Sequence, residues 1–475
     1  MMRRREFVAL APGLAAGAKK AETPWMEKVR VFADTLLRVG LDRCGAKETP
    51  AWAGVIDTRD WSVPRAGVPA APGIRESDRA VGGANLYHDS TTLRVFGALT
   101  EATGEARYRR AADGYVRWFL ENCQSPATGL LAWGEHLYYD FFRDGVAVER
   151  KNHELLEWSA PWDLLWAVNA KATARAIEGL KYHHFEDRPG TLYNRHAAWE
   201  RAEHQREKGA QPWIKHSAEY AYSWAFLYSK TGERRWLDWA VGEAGLYWDR
   251  RDGKTGLTLS CIGDPREGSK MASGGMAQLA YWLRKTAALA PRERVFRERA
   301  RALVHAWEER AYDAGRGGWR TALWLDGTAA GEGLAAPWRF AYGENELLPY
   351  GRIAAYFAAV DGDALMLDAA RRVARAAAGA EVPGNASIEG LGIAVNLMMD
   401  LDGLEPRGGW RQQAERYARL AVERYWRQEG ENGMFVRLPG DPYYEAKTGA
   451  GFLLAGLLRL DGAVTGKKVK GDWTL

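Results

Sequence analysis

A repeated pair of amphipathic segments joined by a glycine turn constrains this chain more than any other feature. Residues 91–103 and 107–123 each carry apolar positions at helical spacing, and Gly104-Glu105 joins them. The arrangement recurs at 217–230 and 234–247 across Thr231-Gly232-Glu233. A further turn follows each second segment, Thr128-Gly129-Leu130 in one copy and Thr255-Gly256-Leu257 in the other. More diverged copies lie at 350–359 with 364–378, about Asp361-Gly362-Asp363, and at 411–426 with Gly433-Met434-Phe435 and then 449–460. A helical hairpin cannot bury its apolar stripe alone, so its neighbours must stack on it. The predicted fold is therefore an all-α toroid, an (α/α) ring of helical hairpins over 86–465, whose inner helices line a funnel and whose loops carry the chemistry. An open superhelix is the alternative, and its repeats are ordinarily more uniform than these. Residues 21–85, irregular and rich in Pro and Gly from about 45 onward, are predicted to form an arm over the funnel and no second domain.

A ring also accommodates the length. At 475 residues an ordinary chain divides into two or three domains, but a closed ring grows with its repeat number. The 22 Trp and 20 Tyr either fill a large helical core or offer flat faces to sugar rings, and composition leaves both open. A net charge of +5 and a pI near 8.9 favour an anionic ligand. No run of Lys or Arg alternates with aromatics, which argues against a nucleic-acid groove. Cys44, Cys123 and Cys261 lie far apart without a CxxC, so they form neither a disulfide framework nor a zinc cluster. The start, with Arg3-Arg4-Arg5 before a short apolar stretch and small residues to Ala18, predicts a signal peptide over 1–20 of twin-arginine type, hence a periplasmic or secreted protein. No later segment has the roughly 18 uninterrupted apolar residues of a membrane helix.

The chemistry-bearing residues concentrate between Gly129 and His216, which hold seven of the nine histidines. Three short strings stand out: Trp133-Gly134-Glu135-His136, Asn152-His153-Glu154-Leu155 and Tyr193-Asn194-Arg195-His196. His136 follows a glycine loop, Glu154 is read as opening a helix that breaks at Pro161, and His196 as standing where a helix starts after Pro189-Gly190. Two imidazoles and a carboxylate make a nitrogen/oxygen set suited to Mn, Fe, Co, Ni or Zn more than to Ca. With no helix-face spacing, the same residues also read as rim histidines bonded to sugar hydroxyls or backbone carbonyls.

These strings, with a helix from Asn169 to Phe185 between the second and third, resemble the family 2 polysaccharide lyases, pectate (polygalacturonate) lyases on an α/α toroid. The resemblance covers about residues 75 to 220. It implies a divalent transition metal, most often Mn with Co, Ni or Zn as alternatives, held by His136, Glu154 and His196, and Arg195 as Brønsted base. It further implies cleavage of polygalacturonate or a related uronan by β-elimination. Lys215, Tyr342 and Trp133 are taken as substrate contacts, and an acidic polysaccharide or oligosaccharide as the partner. Two positions depart from the family pattern: Glu135 stands where a second Gly is expected, and Leu156 where a basic residue is expected.

Two other functions compete. A hydrolase on the same toroid needs an acid/base carboxylate pair, with Asp140, Glu157 and Asp163 as candidates; a non-catalytic sugar-binding protein needs none. For Arg195 the competing role is a cation that pairs with the substrate carboxylate, and Lys215 or His216 are its replacements as base. Asn85 to Asp89 read as a helix N-cap that could reach the cleft, and His183-His184 as a response to a helix dipole. Glu203 and His204 receive no role. The segments 339–346 and 441–444 read as rim loops.

Overall fold

A computed structural model describes residues 22–147, 152–154, 160–185, 192–200, 212–263, 270–338, 347–467 and 469. Helix α1 (Pro24–Val39) comes first. Six hairpins follow: α2 (Ser90–Thr103) with α3 (Ala106–Asn122), α4 (Trp162–Val168) with α5 (Ala170–His184), α6 (Ile214–Thr231) with α7 (Arg234–Trp248), α8 (Gly275–Leu289) with α9 (Arg294–Ala311), α10 (Leu347–Asp361) with α11 (Ala364–Gly379), and α12 (Ile388–Leu404) with α13 (Trp410–Tyr425). Helix α14 (Ala450–Thr465) ends the order.

Contacts between helices arrange them in two layers. In the inner layer α6 packs on α8, α8 on α10, α10 on α12, α12 on α14, and α14 on α2. Helix α4 completes the circle. The Arg94–Asp163 ion pair ties it to α2, and its Trp162 indole N–H donates to Ser223 Oγ of α6 at 2.8 Å. Each odd-numbered helix from α3 to α13 packs on the inner helix before it in sequence, and α1 packs on α14. The first and last helices therefore make a seventh hairpin, held at its edge by the Thr23 hydroxyl, which donates to Asp461 Oδ1 at 2.6 Å. The fold is the predicted all-α toroid. Within the stretch read as an arm, α1 belongs to the outer layer, and Val55–Asp57 pairs antiparallel with Tyr443–Glu445.

Local chemistry sets the helix ends. Gly104 and Gly232 close α2 and α6 in the left-handed region, at φ +79° and +72°, which is why the two repeats share a glycine there. Asn169 caps α5 by accepting from the Ala172 N–H at 3.0 Å. The sequence repeats omit α1, α8, α9 and α12; in α12 the period is erased because Ile388, Leu391, Ile393, Val395, Leu397 and Met398 are all buried. This corrects the pairing of the last repeat. Residues 411–426 are the outer partner of α12, which precedes them, and 449–460 belong to α14.

The two ends of the ring differ. Turns from an inner helix to its outer partner are short, as at 104–105, 169, 232–233 and 362–363. The connections from an outer helix to the next inner one include the long segments 123–161, 185–213, 249–274 and 312–346, and all of these leave from the same end. The N-termini of the inner helices face that end. No described helix is long and apolar enough to cross a membrane.

Candidate metal centre

Two long connections supply the site, and strand pairing joins them. Asn152–His153 pairs antiparallel with Ala197–Ala198, with His153 opposite Ala197, so the next residue on each strand sets Glu154 beside His196. This corrects the reading of both as helix starts; a two-residue strand pair leaves no periodicity in sequence. The third member arrives through Gly134, whose backbone bridges that of Glu154. Gly134 has φ +89°, and a Cβ there would lie 2.1 Å from the Glu154 carbonyl oxygen, so only glycine brings the His136 loop this close. Asn85 holds the loop from the other side, its amide donating to Gly134 O at 2.8 Å and to Leu137 O at 3.2 Å.

His136 Nε2 and His196 Nε2 then converge on one oxygen, Glu154 Oε2, at 3.2 and 2.9 Å. Arg195 lies 3.6 Å from the other oxygen, with its side chain 37% exposed. Burial pushes the Glu154 carboxyl up. The bonds to His136 and His196, and the charge of nearby His216, more than offset this and hold it ionised well below the usual carboxylate range. His216, in the first turn of α6, is buried and faces the site.

These residues fit a metal. One donor atom from each of His136, Glu154 and His196 lies within 4.8 Å of the others, and the set is the N₂O combination that first-row transition ions accept. His136 Nδ1 has no hydrogen-bond partner and lies 3.9 Å from Asp78 Oδ1, the carboxylate that would fix its tautomer. Asp78, Glu135 and His136 also lie together. There the Arg75 guanidinium already bonds both carboxylates, so the unexpected Glu135 meets a cation from the arm and is no uncompensated charge beside the site.

The other expectations fall out unevenly. Trp133 is 1% exposed and packs against Tyr87 and Trp162, so it has no face open to a sugar. Its indole N–H donates to His153 Nε2 at 3.2 Å. Lys215 is half-buried beside His216 at the start of α6. Tyr342 lies outside the described residues, as do Leu156, Glu157, Glu203, His204, the segment 339–346 and the predicted signal peptide. Asp140 accepts from the backbone N–H groups of Phe142 and Arg143, and Asp163 is bidentate with Arg94, so neither is poised as a glycosidic acid or base. Asp89 gives α2 no side-chain cap.

Sequence reasoning missed a buried layer under the site. His153 Nδ1 meets His184 Nε2 at 2.9 Å, and His184 Nδ1 meets the Asn194 carbonyl at 2.8 Å. Burial lowers the pKa of both, His184 to about 4 and His153 well below its ordinary value, so both imidazoles are neutral at pH 7. Many of the tryptophans serve the core: Trp52, Trp133, Trp162, Trp224 and Trp236 are fully buried. All three cysteines are free thiols.

The whole-chain fold is similar to cellobiose 2-epimerase from Bacillus thermoamylovorans B4167, at 10% identity and TM-score 0.51, covering 92% of this chain and 99% of that one. It also aligns with an unsaturated glucuronyl hydrolase from Bacillus sp. GL1 (12% identity, TM-score 0.49, 94% and 99% covered). A third alignment is with an α-1,6-mannanase of Salegentibacter sp. HEL1_6 (13%, 0.44, 93% and 99%). At such identities the likeness concerns the fold alone. Residues 74–270, which carry His136, Glu154, Arg195 and His196, match the family model described as periplasmic pectate lyase. Over that segment the chain is therefore related to the family 2 polysaccharide lyases.

Proposed function

We propose that this protein is a metal-dependent lyase that cleaves polygalacturonate or a related uronan by β-elimination, in the periplasm or outside the cell. The observation that carries the reading is the convergence of His136 and His196 on one oxygen of a buried, ionised Glu154, with Arg195 at the other oxygen. The N-termini of the inner helices face the same end, a field that favours an anionic substrate.

In the reaction the C5–H bond of the uronate breaks, a C4–C5 double bond forms, and the glycosidic C4–O bond breaks as its oxygen takes up a proton. The difficulty lies at C5, whose proton is weakly acidic while the neighbouring carboxylate is ionised. A bound divalent transition metal, Mn by preference, would supply positive charge to that carboxylate and beside Arg195. Glu154, His136 and His196 would hold that charge in place. Arg195, next to His196 in sequence and partly exposed, takes the C5 proton. Beside an ionised carboxylate alone a guanidinium keeps its proton, so this role requires the added charge. Lys215, half-buried at the start of α6, adds positive charge on that side and meets the substrate carboxylate.

The test is ultraviolet absorbance of the unsaturated product on polygalacturonate, with chelator and then with added Mn. Absorbance that chelator abolishes and Mn restores is expected. New reducing ends without absorbance would overturn the lyase in favour of a hydrolase, and no turnover with measurable sugar affinity would leave a binding protein.

A further inference from the structure

The buried bonds beneath the site have one feature that pairs of contacts taken singly do not show. An indole N–H can only donate, so His153 Nε2 accepts from Trp133 and the His153 proton sits on Nδ1. That proton goes to His184 Nε2, which must accept, so the His184 proton sits on its own Nδ1 and goes to the Asn194 carbonyl, which can only accept. The chain Trp133–His153–His184–Asn194 thus has a single proton arrangement with both rings neutral, fixed by a donor-only group at one end and an acceptor-only group at the other. Trp133, His153 and His184 are buried at 1%, 1% and 2% exposure, so water does not compete for these bonds.

Three of the four members of this hydrogen-bond chain stand within three residues of one proposed metal ligand each. Trp133 precedes His136 by three residues on its loop, His153 precedes Glu154 directly, and Asn194 precedes His196 by two. Asn194 is fixed twice more: its N–H donates to the His184 carbonyl at 2.8 Å, and its Oδ1 accepts from the His196 N–H at 2.9 Å. The three ligand segments come from different parts of the fold, and this chain of bonds touches all three. His184 supplies the outside anchor, since it belongs to the last turn of α5 and not to a loop.

We infer that His153 and His184 are a positioning pair that holds the segments bearing His136, Glu154 and His196 in one geometry, without themselves touching metal or substrate. The inference rests on the proposed metal site for its consequence and on the hydrogen-bond chain for its mechanism, so each is tested separately. His153→Leu keeps the volume and removes both bonds, leaving the Trp133 N–H and His184 Nε2 unmet. His153→Asn places an N–H where Nδ1–H was and keeps the bond to His184. His184→Gln keeps an acceptor for His153 and loses the donor to Asn194.

Mn affinity of the full chain is measured by calorimetry, with kcat and KM at saturating Mn. Weakening of Mn binding by about 10–100-fold in His153→Leu is expected. Smaller losses in His153→Asn and His184→Gln, with KM for polygalacturonate little changed, complete the expected pattern. A lower melting temperature with Mn affinity unchanged in all three variants would overturn the inference, because that is what a merely structural pair gives. If the wild-type protein takes up no Mn, the metal reading fails, and crystal structures of wild type and His153→Asn decide the positioning role alone. Displacement of His136 or His196 from Glu154 Oε2 in the variant supports it, and unchanged separations overturn it. If His153→Leu does not fold, the Asn and Gln variants carry the same measurements.

Discussion

The two sides of the ring differ in how they hold buried carboxylates. On the side formed by α8 to α14, Asp400 and Glu308 are matched by arginines, although among the described residues Arg299 Nη1 and Arg372 Nε have no hydrogen-bond partner. Arg459 donates to Asp400 at 2.7 Å and to the Asn396 side chain, and Arg352 donates to the other Asp400 oxygen at 3.0 Å. Glu308 is bonded by Arg372, Trp319 and Tyr350. On the side formed by α2 to α7, polar groups are buried with weaker or incomplete partners. Glu154 faces imidazoles, and among the described residues His136 Nδ1 and Asn194 Nδ2 have no hydrogen-bond partner and buried Glu243 is hydrogen-bonded by the Ser217 hydroxyl alone. The first side is arranged as a scaffold. The second keeps polar atoms at some cost to stability, which is the pattern of a site prepared for ligands absent from the folded chain alone.

The largest effect that sharpens this contrast is expected at Glu154. Glu154→Gln keeps the shape and removes the charge that binds the metal. Losing several kcal/mol of charge stabilisation costs lyase activity at least about 10³-fold. Thermal melting should change by only a few degrees, since the carboxylate serves binding and not packing. On the scaffold side the expectation reverses. Arg459→Met leaves Asp400 with Arg352 alone and Asn396 Oδ1 without its donor, and lowers stability by about 1–3 kcal/mol, read by urea unfolding. The folded fraction should keep kcat within about threefold. If Arg459→Met reduced kcat as far as Glu154→Gln while remaining folded, the division into scaffold and site would collapse.

How much of this was legible beforehand follows the same division. The outer helices α3, α7, α11 and α13 announce themselves because solvent on one face imposes a 3.6-residue period, and the turns at Gly104 and Gly232 are readable because a left-handed cap selects glycine. Helix α12 is not, since burial on all sides erases the period, and the sequence repeats also omit α1, α8 and α9. His136, Glu154 and His196 were legible through their neighbours in sequence, by resemblance to a family and not by spacing, because the strand pair that joins them is two residues long on each side. The roles of Trp133 and His184 were not legible at all. An indole that reads as a sugar platform and a histidine that reads as a helix-end cation are both neutral members of a buried hydrogen-bond chain, and only the fold brings them to His153.

The smallest expected effect concerns Glu243, a buried residue of α7 whose charge acts on Tyr193, Tyr220 and Tyr247. Burial raises its pKa from the ordinary 4.5 to about 8, partly opposed by the Ser217 bond. The sign follows from proton counts. Between these two values the folded chain holds a proton that the unfolded chain has released, so stability falls as pH rises from about 4.5 to 8 and levels off above it. At 1.36 kcal/mol per pH unit the whole loss is at most about 5 kcal/mol. Glu243→Gln keeps a partner for Ser217 and has no proton to lose. It should therefore melt within a degree or two of wild type at pH 5 and several degrees above it at pH 8. An equal pH slope in both proteins would show that Glu243 is already paired in solution. In that case the α2-to-α7 side would be satisfied as fully as its opposite, and the contrast between the two would rest on the metal centre alone.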